Sequence, residues 1–312
     1  MNPFTAIYAS ASALRNSFFD RGLLPSRRLT RPVVSVGNIS TGGSGKTPFV
    51  IALGQLLKAH GISFDVLSRG YRRQTRGVLL VDPNGSAEQF GDEPLLIARR
   101  LAVPVIVGES RYQAGLFAEE KIGTQLHLLD DGFQHRSLAR DFDIVLVTPD
   151  DLHDRLLPSG RLREPLSSLA RAHAIVIPAD FAMNHPALPA KPLWHTKREI
   201  AIDNPPKSPI IFCGIARPDQ FFAQVRSTGI SPATELVFRD HHIYRQSDIA
   251  RLQAAKEKAA AGGFVTTEKD AINLGELQSE LSPLSIARLT LTLDDPATLV
   301  DTILKAIHLS AA

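Results

Sequence analysis

Only one of the 312 residues is cysteine, Cys213, so no disulfide can form within the chain, and a reducing compartment is expected. Cys213 closes an apolar run over 209–213 and reads as a small buried hydrophobe, not a catalytic thiol. No stretch approaches the ~20 apolar residues needed to cross a bilayer. Residues 1–16 lack both the basic start and the continuous apolar core of a cleavable signal peptide. No charge of one sign dominates: 35 Lys and Arg stand against 32 Asp and Glu, a net of +3, so no nucleic-acid partner is expected. There is no internal repeat and no low-complexity tract. An apolar share of 44% and a charged share of 21% exclude disordered and collagen-like classes.

What remains is an ordinary globular composition with strong local patterning. Phe4, Ile7, Tyr8, Ala11, Leu14 and Phe18 recur at three- and four-residue steps and share one face of a helix. Arg15, Arg21, Arg27, Arg28 and Arg31 accompany it. Such a segment lies either in a membrane interface or against its own domain, and the pattern supports both.

Alternation follows. Strands are expected at 33–36, 64–67, 78–81, 103–107, 126–129, 144–147 and 174–177, with helices at 47–60, 94–101 and 111–121. Prolines 178, 186, 189, 192, 205, 206 and 209 mark a linker, with a short extended piece near 193–196. A second α/β unit is expected beyond it, with strands at 210–213, 235–238, 263–266 and 286–291 and helices at 219–228, 247–261 and 296–308. Strands alternating with helices imply a mostly parallel sheet covered on both faces.

The run Gly37-Asn38-Ile39-Ser40-Thr41-Gly42-Gly43-Ser44-Gly45-Lys46-Thr47 follows a strand and opens a helix, the context a P-loop requires. Its glycines let backbone N–H groups converge on phosphate oxygens, and the helix N-terminus adds positive potential. Ser40 to Thr47 would cradle the nucleotide. Lys46 reaches its β- and γ-phosphates, and the Thr47 hydroxyl is placed for Mg²⁺. Ser40 departs from the usual pattern, which has glycine six residues before the lysine. The strand at 126–129 ends in Asp130-Asp131-Gly132, which puts a carboxylate at the mouth of the sheet for the same Mg²⁺. Either acid can serve. The guanine-reading pattern Asn-Lys-x-Asp is absent: Thr267-Glu268-Lys269-Asp270 has the wrong spacing, leaving ATP as the default.

A kinase also needs a base for the acceptor hydroxyl. Two places offer one: Gly91-Asp92-Glu93-Pro94, before a helix, and Asp240-His241-His242, after a strand. With no cysteine and no third histidine nearby, zinc is not expected there. Arginines 69, 72, 73, 111, 136, 161 and 163 suit a polyanionic ligand.

The motifs, in order, resemble the tetraacyldisaccharide 4′-kinase family. They are Gly42-Gly43-Ser44-Gly45-Lys46-Thr47-Pro48, Ser68-Arg69-Gly70-Tyr71, Gly91-Asp92-Glu93-Pro94, Asp130-Asp131-Gly132-Phe133-Gln134-His135 and Leu157-Pro158-Ser159-Gly160-Arg161-Leu162-Arg163-Glu164. Beyond the linker come Gly214-Ile215-Ala216, Phe221-Phe222, Asp240-His241-His242 and Thr267-Glu268-Lys269-Asp270. The resemblance implies transfer of the γ-phosphate of ATP to the 4′-hydroxyl of a tetraacylated glucosamine disaccharide 1-phosphate, giving lipid IV-A. It pairs Asp92 with His241, or with His242 if the register slips by one. It makes Arg69, Arg163 and Glu164 candidate substrate-lining residues. It also places the enzyme on the cytoplasmic face of the bacterial inner membrane, with the N-terminal stripe as an interfacial anchor, and a monomer is expected.

Together these readings predict an α/β fold: a P-loop NTPase-like, mostly parallel sheet with helices on both faces, plus a second smaller α/β domain. The expected division is an amphipathic and basic segment at 1–31, a P-loop core at 32–180, a Pro-rich linker at 181–208 and a smaller domain at 209–312 whose last helix has the option of packing back on the core. Two other readings are a regulatory or metal-delivery NTPase and a soluble small-metabolite kinase. The first fits poorly, because ATPases that pair across a dimer carry a lysine where this chain has Thr41.

Overall fold

A computed structural model describes residues 3–181 and 188–310. Residues 1, 2 and Pro186 of the segments discussed above lie outside them. The chain opens with helix α1 (Pro3–Asp20), then β1 (Val33–Asn38), α2 (Lys46–Ala59), β2 (Phe64–Ser68) and β3 (Leu79–Leu80). Next come α3 (Ala87–Phe90), α4 (Asp92–Leu101), β4 (Val105–Val107), α5 (Arg111–Lys121), β5 (Leu126–Asp130), β6 (Phe142–Leu146) and β7 (Ala174–Pro178). The second half holds β8 (Leu193–Ile202), β9 (Ile210–Cys213), α6 (Pro218–Ser227), β10 (Thr234–Val237), α7 (Gln246–Lys258), β11 (Phe264–Thr267), α8 (Glu268–Leu274), β12 (Leu284–Leu293) and α9 (Pro296–Ala306).

The twelve strands among the described residues form one sheet, ordered β10-β9-β11-β12-β8-β7-β6-β1-β5-β2-β4-β3. Strands β1, β2, β4, β5, β6 and β7 are parallel, and β1, β2, β5 and β6 are buried along their whole length. That is why they read as unbroken Val/Ile/Leu runs and not as alternations. Strands β9 to β12 form a second parallel block. The blocks meet where β8 runs antiparallel to β12, with Thr196 opposite Leu293 and Ile202 opposite Ala287.

The linker expectation needs correction here. Residues 193–202 form a ten-residue strand that joins the two halves into one sheet. Its residues alternate between partly buried and exposed along the stretch 196–202, a two-residue period that the surrounding prolines masked. Helix α9 returns to the first half: Leu299, Val300, Ile303 and Leu304 pack in the same core as Phe49, Leu53 and Leu57 of α2.

One face of α1 packs on the body and the other is largely exposed. Thr5 is buried, while Phe4, Ile7 and Leu14 are 68%, 66% and 56% exposed. Phe4, Ile7, Leu14 and Phe18 of the apolar stripe therefore point outward, the reverse of an ordinary surface helix, while Tyr8 turns to the body. No described helix is long and apolar enough to cross a membrane.

Candidate functional site

The phosphate cradle sits between the C-terminal end of β1 and the start of α2, at the centre of the parallel block. Gly42, Gly43 and Gly45 have φ of 68°, 68° and 86°, the left-handed region that a side chain resists. Ser40 is not left-handed. It is buried, bridges to Leu162 and accepts a bond from Asn38 Nδ2 at 3.2 Å. That explains its departure from the usual pattern: nothing at this position requires glycine. Thr41 N donates to Arg161 O at 2.8 Å, so the loop is pinned by the segment that carries Arg161 and Arg163. Ser44 lies within the loop, and Thr47 is buried at the first turn of α2.

Lys46 Nζ donates to Asn38 Oδ1 at 3.0 Å and lies 3.5 Å from Asp131. Arg163 grips Asp131 with both terminal nitrogens, at 2.8 and 3.0 Å, and also donates to Asn38 Oδ1. Burial opposes ionisation of Asp131, but Lys46 and Arg163 overcome it and hold the carboxyl well below the usual range. Asp130 lies in a different environment. Burial, with Glu93 and Asp131 nearby, pushes its pKa up to about 7. One oxygen accepts from Ser68 Oγ at 3.1 Å, and the other, Oδ1, is buried without a partner.

An unpartnered buried carboxylate oxygen beside a phosphate cradle fits a divalent cation. Among the described residues no three His, Cys, Asp or Glu cluster to hold a metal by themselves.

The base candidates come together across the two halves. Asp92 begins α4, and His241 follows β10. His241 Nδ1 stands 2.8 Å from Asp92 Oδ2. Asp92 is enclosed: Oδ2 also accepts from Asn273 Nδ2 at 3.2 Å, and Oδ1 accepts from Glu93 N at 2.8 Å. Burial raises its pKa, but the His241 bond and Lys269 outweigh that and bring it down to about 2. Burial alone would lower the His241 pKa; the bond to Asp92 and its charge raise it instead.

The His241 backbone has φ 55°, which is strained for a residue with a side chain. Its N–H donates to Gly214 O at 2.9 Å, its carbonyl accepts from Arg72 at 3.0 Å, and its ring lies edge-on to Tyr71 with centroids 5.3 Å apart. His242 is occupied elsewhere, 2.9 Å from Asp248 at the start of α7. The choice left open by the sequence thus falls on His241.

His241 lines a cleft shared with Ser68, Arg69, Asp131, Arg163 and the P-loop residue Gly42. Arg69 lines this cleft. Arg111 joins it, buried at the start of α5, where burial and the nearby Arg69 make its charge costly. Two guanidiniums that repel each other form a ready receptor for an anion. Glu164, expected to line the site, instead lies behind its wall. It is 2% exposed and bonded to Asn16, Gln134 and Arg171. A second, more apolar recess, which shares Gly42, Ala216, Arg217 and His241 with this cleft, is bounded by Ile51, Leu96, Ile215, Phe221 and Leu289.

Sequence reasoning did not single out Asn38, Lys269 or Arg217. Lys269 ion-pairs with Glu93, next to Asp92. Arg217 lies so close over the P-loop that a Cβ on Gly43 would stand 2.7 Å from its Nε. The available signal was positional: Asn38 ends β1, while Arg217 and Lys269 follow β9 and β11 by a few residues, at the strand ends where parallel sheets bind ligands.

The family described as Tetraacyldisaccharide-1-P 4′-kinase matches residues 1–308. The chain is 49% identical to a tetraacyldisaccharide 4′-kinase of Koribacter versatilis (strain Ellin345) over 99% of both sequences. It is 38% identical to one from Aquifex aeolicus (strain VF5), covering 87% of this chain and 88% of that one. A crystal structure of the "apo" form of LpxK from Aquifex aeolicus in complex with ATP superposes with a TM-score of 0.81 at 34% identity, over 98% of each chain.

Proposed function

The chain belongs to the tetraacyldisaccharide 4′-kinase family, and from that premise we propose how its residues divide the work. The protein is an ATP-dependent kinase that moves the γ-phosphate to the 4′-hydroxyl of a tetraacyldisaccharide 1-phosphate, a step of lipid A biosynthesis. This membership sets aside the regulatory NTPase and the small-metabolite kinase.

The observation that carries the residue assignment is the Asp92–His241 pair, formed by the two halves beside the P-loop. Phosphoryl transfer asks a protein chiefly for positioning and charge. The Ser40–Thr47 loop offers backbone N–H groups to the β- and γ-phosphates. Lys46, held by Asn38 and Asp131, sets a positive charge against the charge that develops on transfer. His241 faces the cleft and takes up the hydroxyl proton. Asp92 stands behind it, fixes Nδ1 and stabilises the imidazolium that forms. Arg163 keeps Asp131 ionised and aligned. Arg69 and Arg111 meet anionic groups of the substrate. The apolar recess beside α2 suits the adenine ring.

Thr47 and the free oxygen of Asp130 are the groups that would hold Mg²⁺, which when bound neutralises phosphate charge. Asp131, already gripped by Arg163 and Lys46, is the poorer choice for direct ligation.

The outward stripe of α1 supports a peripheral seat on the membrane. A four-chain lipid is met at a bilayer, and ATP is supplied from the cytoplasmic side, which supports the cytoplasmic face of the inner membrane. A monomer is sufficient, because the P-loop, Asp92 and His241 all come from one chain. The testing experiment presents tetraacyl disaccharide 1-phosphate in mixed micelles with ATP and Mg²⁺ and locates the new phosphate by ³¹P NMR. A phosphomonoester at the 4′ position is expected. ATP consumed without a lipid phosphate would overturn the reading.

A further inference from the structure

Helix α1 turns its polar face onto the segments that build the phosphate site. Tyr8 Oη donates to Arg163 O at 3.0 Å. Asn16 Nδ2 donates to Glu164 Oε2 at 2.7 Å. The Thr5 and Ser159 hydroxyls are 2.6 Å apart, and Arg15 donates to Gln134 O at 2.8 Å. Every one of these partners lies on the two segments, 134 and 159–164, that flank the P-loop.

The contacts continue inward. Glu164 accepts from Gln134 Nε2 at 3.0 Å, and the same nitrogen donates to Asn38 O at 2.9 Å. Asn38 holds both Lys46 and Arg163. One line of hydrogen bonds therefore runs from α1 through Glu164 and Gln134 to the lysine of the cradle. The aim of Arg163 depends on its backbone. That backbone is held on one side by Ile39, the residue after β1, whose carbonyl accepts from Arg163 N at 2.7 Å, and on the other by Tyr8.

We propose that α1 is a working part of the phosphate-transfer site as well as an anchor, and that Tyr8 and Asn16 are positioning residues that fix the Arg163–Glu164 pair from behind. The proposal rests on the reading of α1 as the lipid-facing element and of Arg163 as a site residue.

Two features favour this over a simple tether. An anchor needs only its exposed apolar stripe, whereas four side chains of α1 reach site-bearing segments. The packed face is also polar. Among the described residues, none of α1 joins a hydrophobic core cluster. Polar contacts hold α1 on the body, among them Arg136 with the Asn16 carbonyl and Asp20. Seating its apolar face on lipid adds a second hold. The same hold then steadies Glu164, a buried carboxylate that needs all its donors, and through it Arg163.

The test uses the full chain in three variants: Tyr8→Phe, which removes one oxygen, Asn16→Ala, and Ile7→Glu on the exposed stripe. Three quantities are measured: kcat and lipid KM in mixed micelles, and co-flotation with phosphatidylglycerol-containing vesicles. The expected result for Tyr8→Phe and Asn16→Ala is a kcat lower by roughly tenfold, with lipid KM and flotation within about twofold of wild type. Ile7→Glu should lose flotation. Wild-type kcat in both Tyr8→Phe and Asn16→Ala would overturn the proposal. So would a loss of flotation in step with kcat, since the polar face would then act through anchoring alone. Wild-type flotation by Ile7→Glu would overturn the lipid-facing reading of α1 instead, a different failure seen in a different variant.

Discussion

His241 Nδ1 lies 2.8 Å from Asp92 Oδ2, joining the two halves of the chain across 149 positions of sequence. The two ends of the pair shift in opposite directions, His241 upward and Asp92 down to about 2. A base must be neutral to accept a proton, so kcat should rise with pH through a His241 pKa that lies above the ordinary ~6.5. Replacing Asp92 with Asn removes the charge that raises this value. The rising limb of the kcat–pH profile should move to lower pH, while kcat itself falls by about 10²-fold or more as the ring loses its orientation.

The same pair makes stability depend on pH. A raised His241 pKa contributes stability that is fully present below the unfolded value of ~6.5 and is lost as pH rises through the folded value. A lowered Asp92 pKa contributes above its unfolded value of ~3.9, and that part is lost as pH falls toward about 2. Thermal melts of wild type should show a decline as pH rises through the His241 titration, and Asp92→Asn should flatten that decline.

Asp131 is held ionised by Lys46 and Arg163 together. Lys46→Ala should cost about 10²–10³ in kcat, the scale for losing one charge-stabilising donor. Arg163→Ala should also lower kcat, and Arg163→Lys should restore little of it, since a single ammonium cannot reproduce the two-nitrogen grip. Steady-state kinetics on the three variants decide this.

Asp130 carries the buried oxygen without a partner. Asp130→Asn should raise the Mg²⁺ concentration needed for half-maximal rate and reduce kcat by about a hundredfold, equivalent to ~3 kcal/mol. Asp131→Asn should shift the Mg²⁺ requirement less. A Mg²⁺ titration of both variants separates their roles.

Much of the site was legible because chemistry at the ends of parallel strands leaves local marks. The P-loop, Asp130-Asp131 and the limits of α5 (Arg111–Lys121) and β9 (Ile210–Cys213) follow from turn chemistry and apolar runs. Strand β8 was underestimated because prolines on both sides hid its alternation. Helix α8 was missed because Glu268–Leu274 is seven residues, too short for a helical period to emerge. Glu164 was misplaced because sequence spacing says nothing of which way a side chain faces: Arg163 and Glu164 are neighbours, and one points into the cleft while the other supports its wall. The choice between His241 and His242 rested on tertiary contact alone: His241 meets Asp92, while His242 meets Asp248.

The most direct test of the central claim is a double-mutant cycle on Asp92 and His241, with phosphate transfer from labelled ATP to tetraacyl disaccharide 1-phosphate as the readout. If the two act as one unit, Asp92→Ala combined with His241→Ala should lose no more activity than the more damaging single variant. Losses that multiply, with each variant reducing the rate independently of the other, would contradict the pairing as the source of the base.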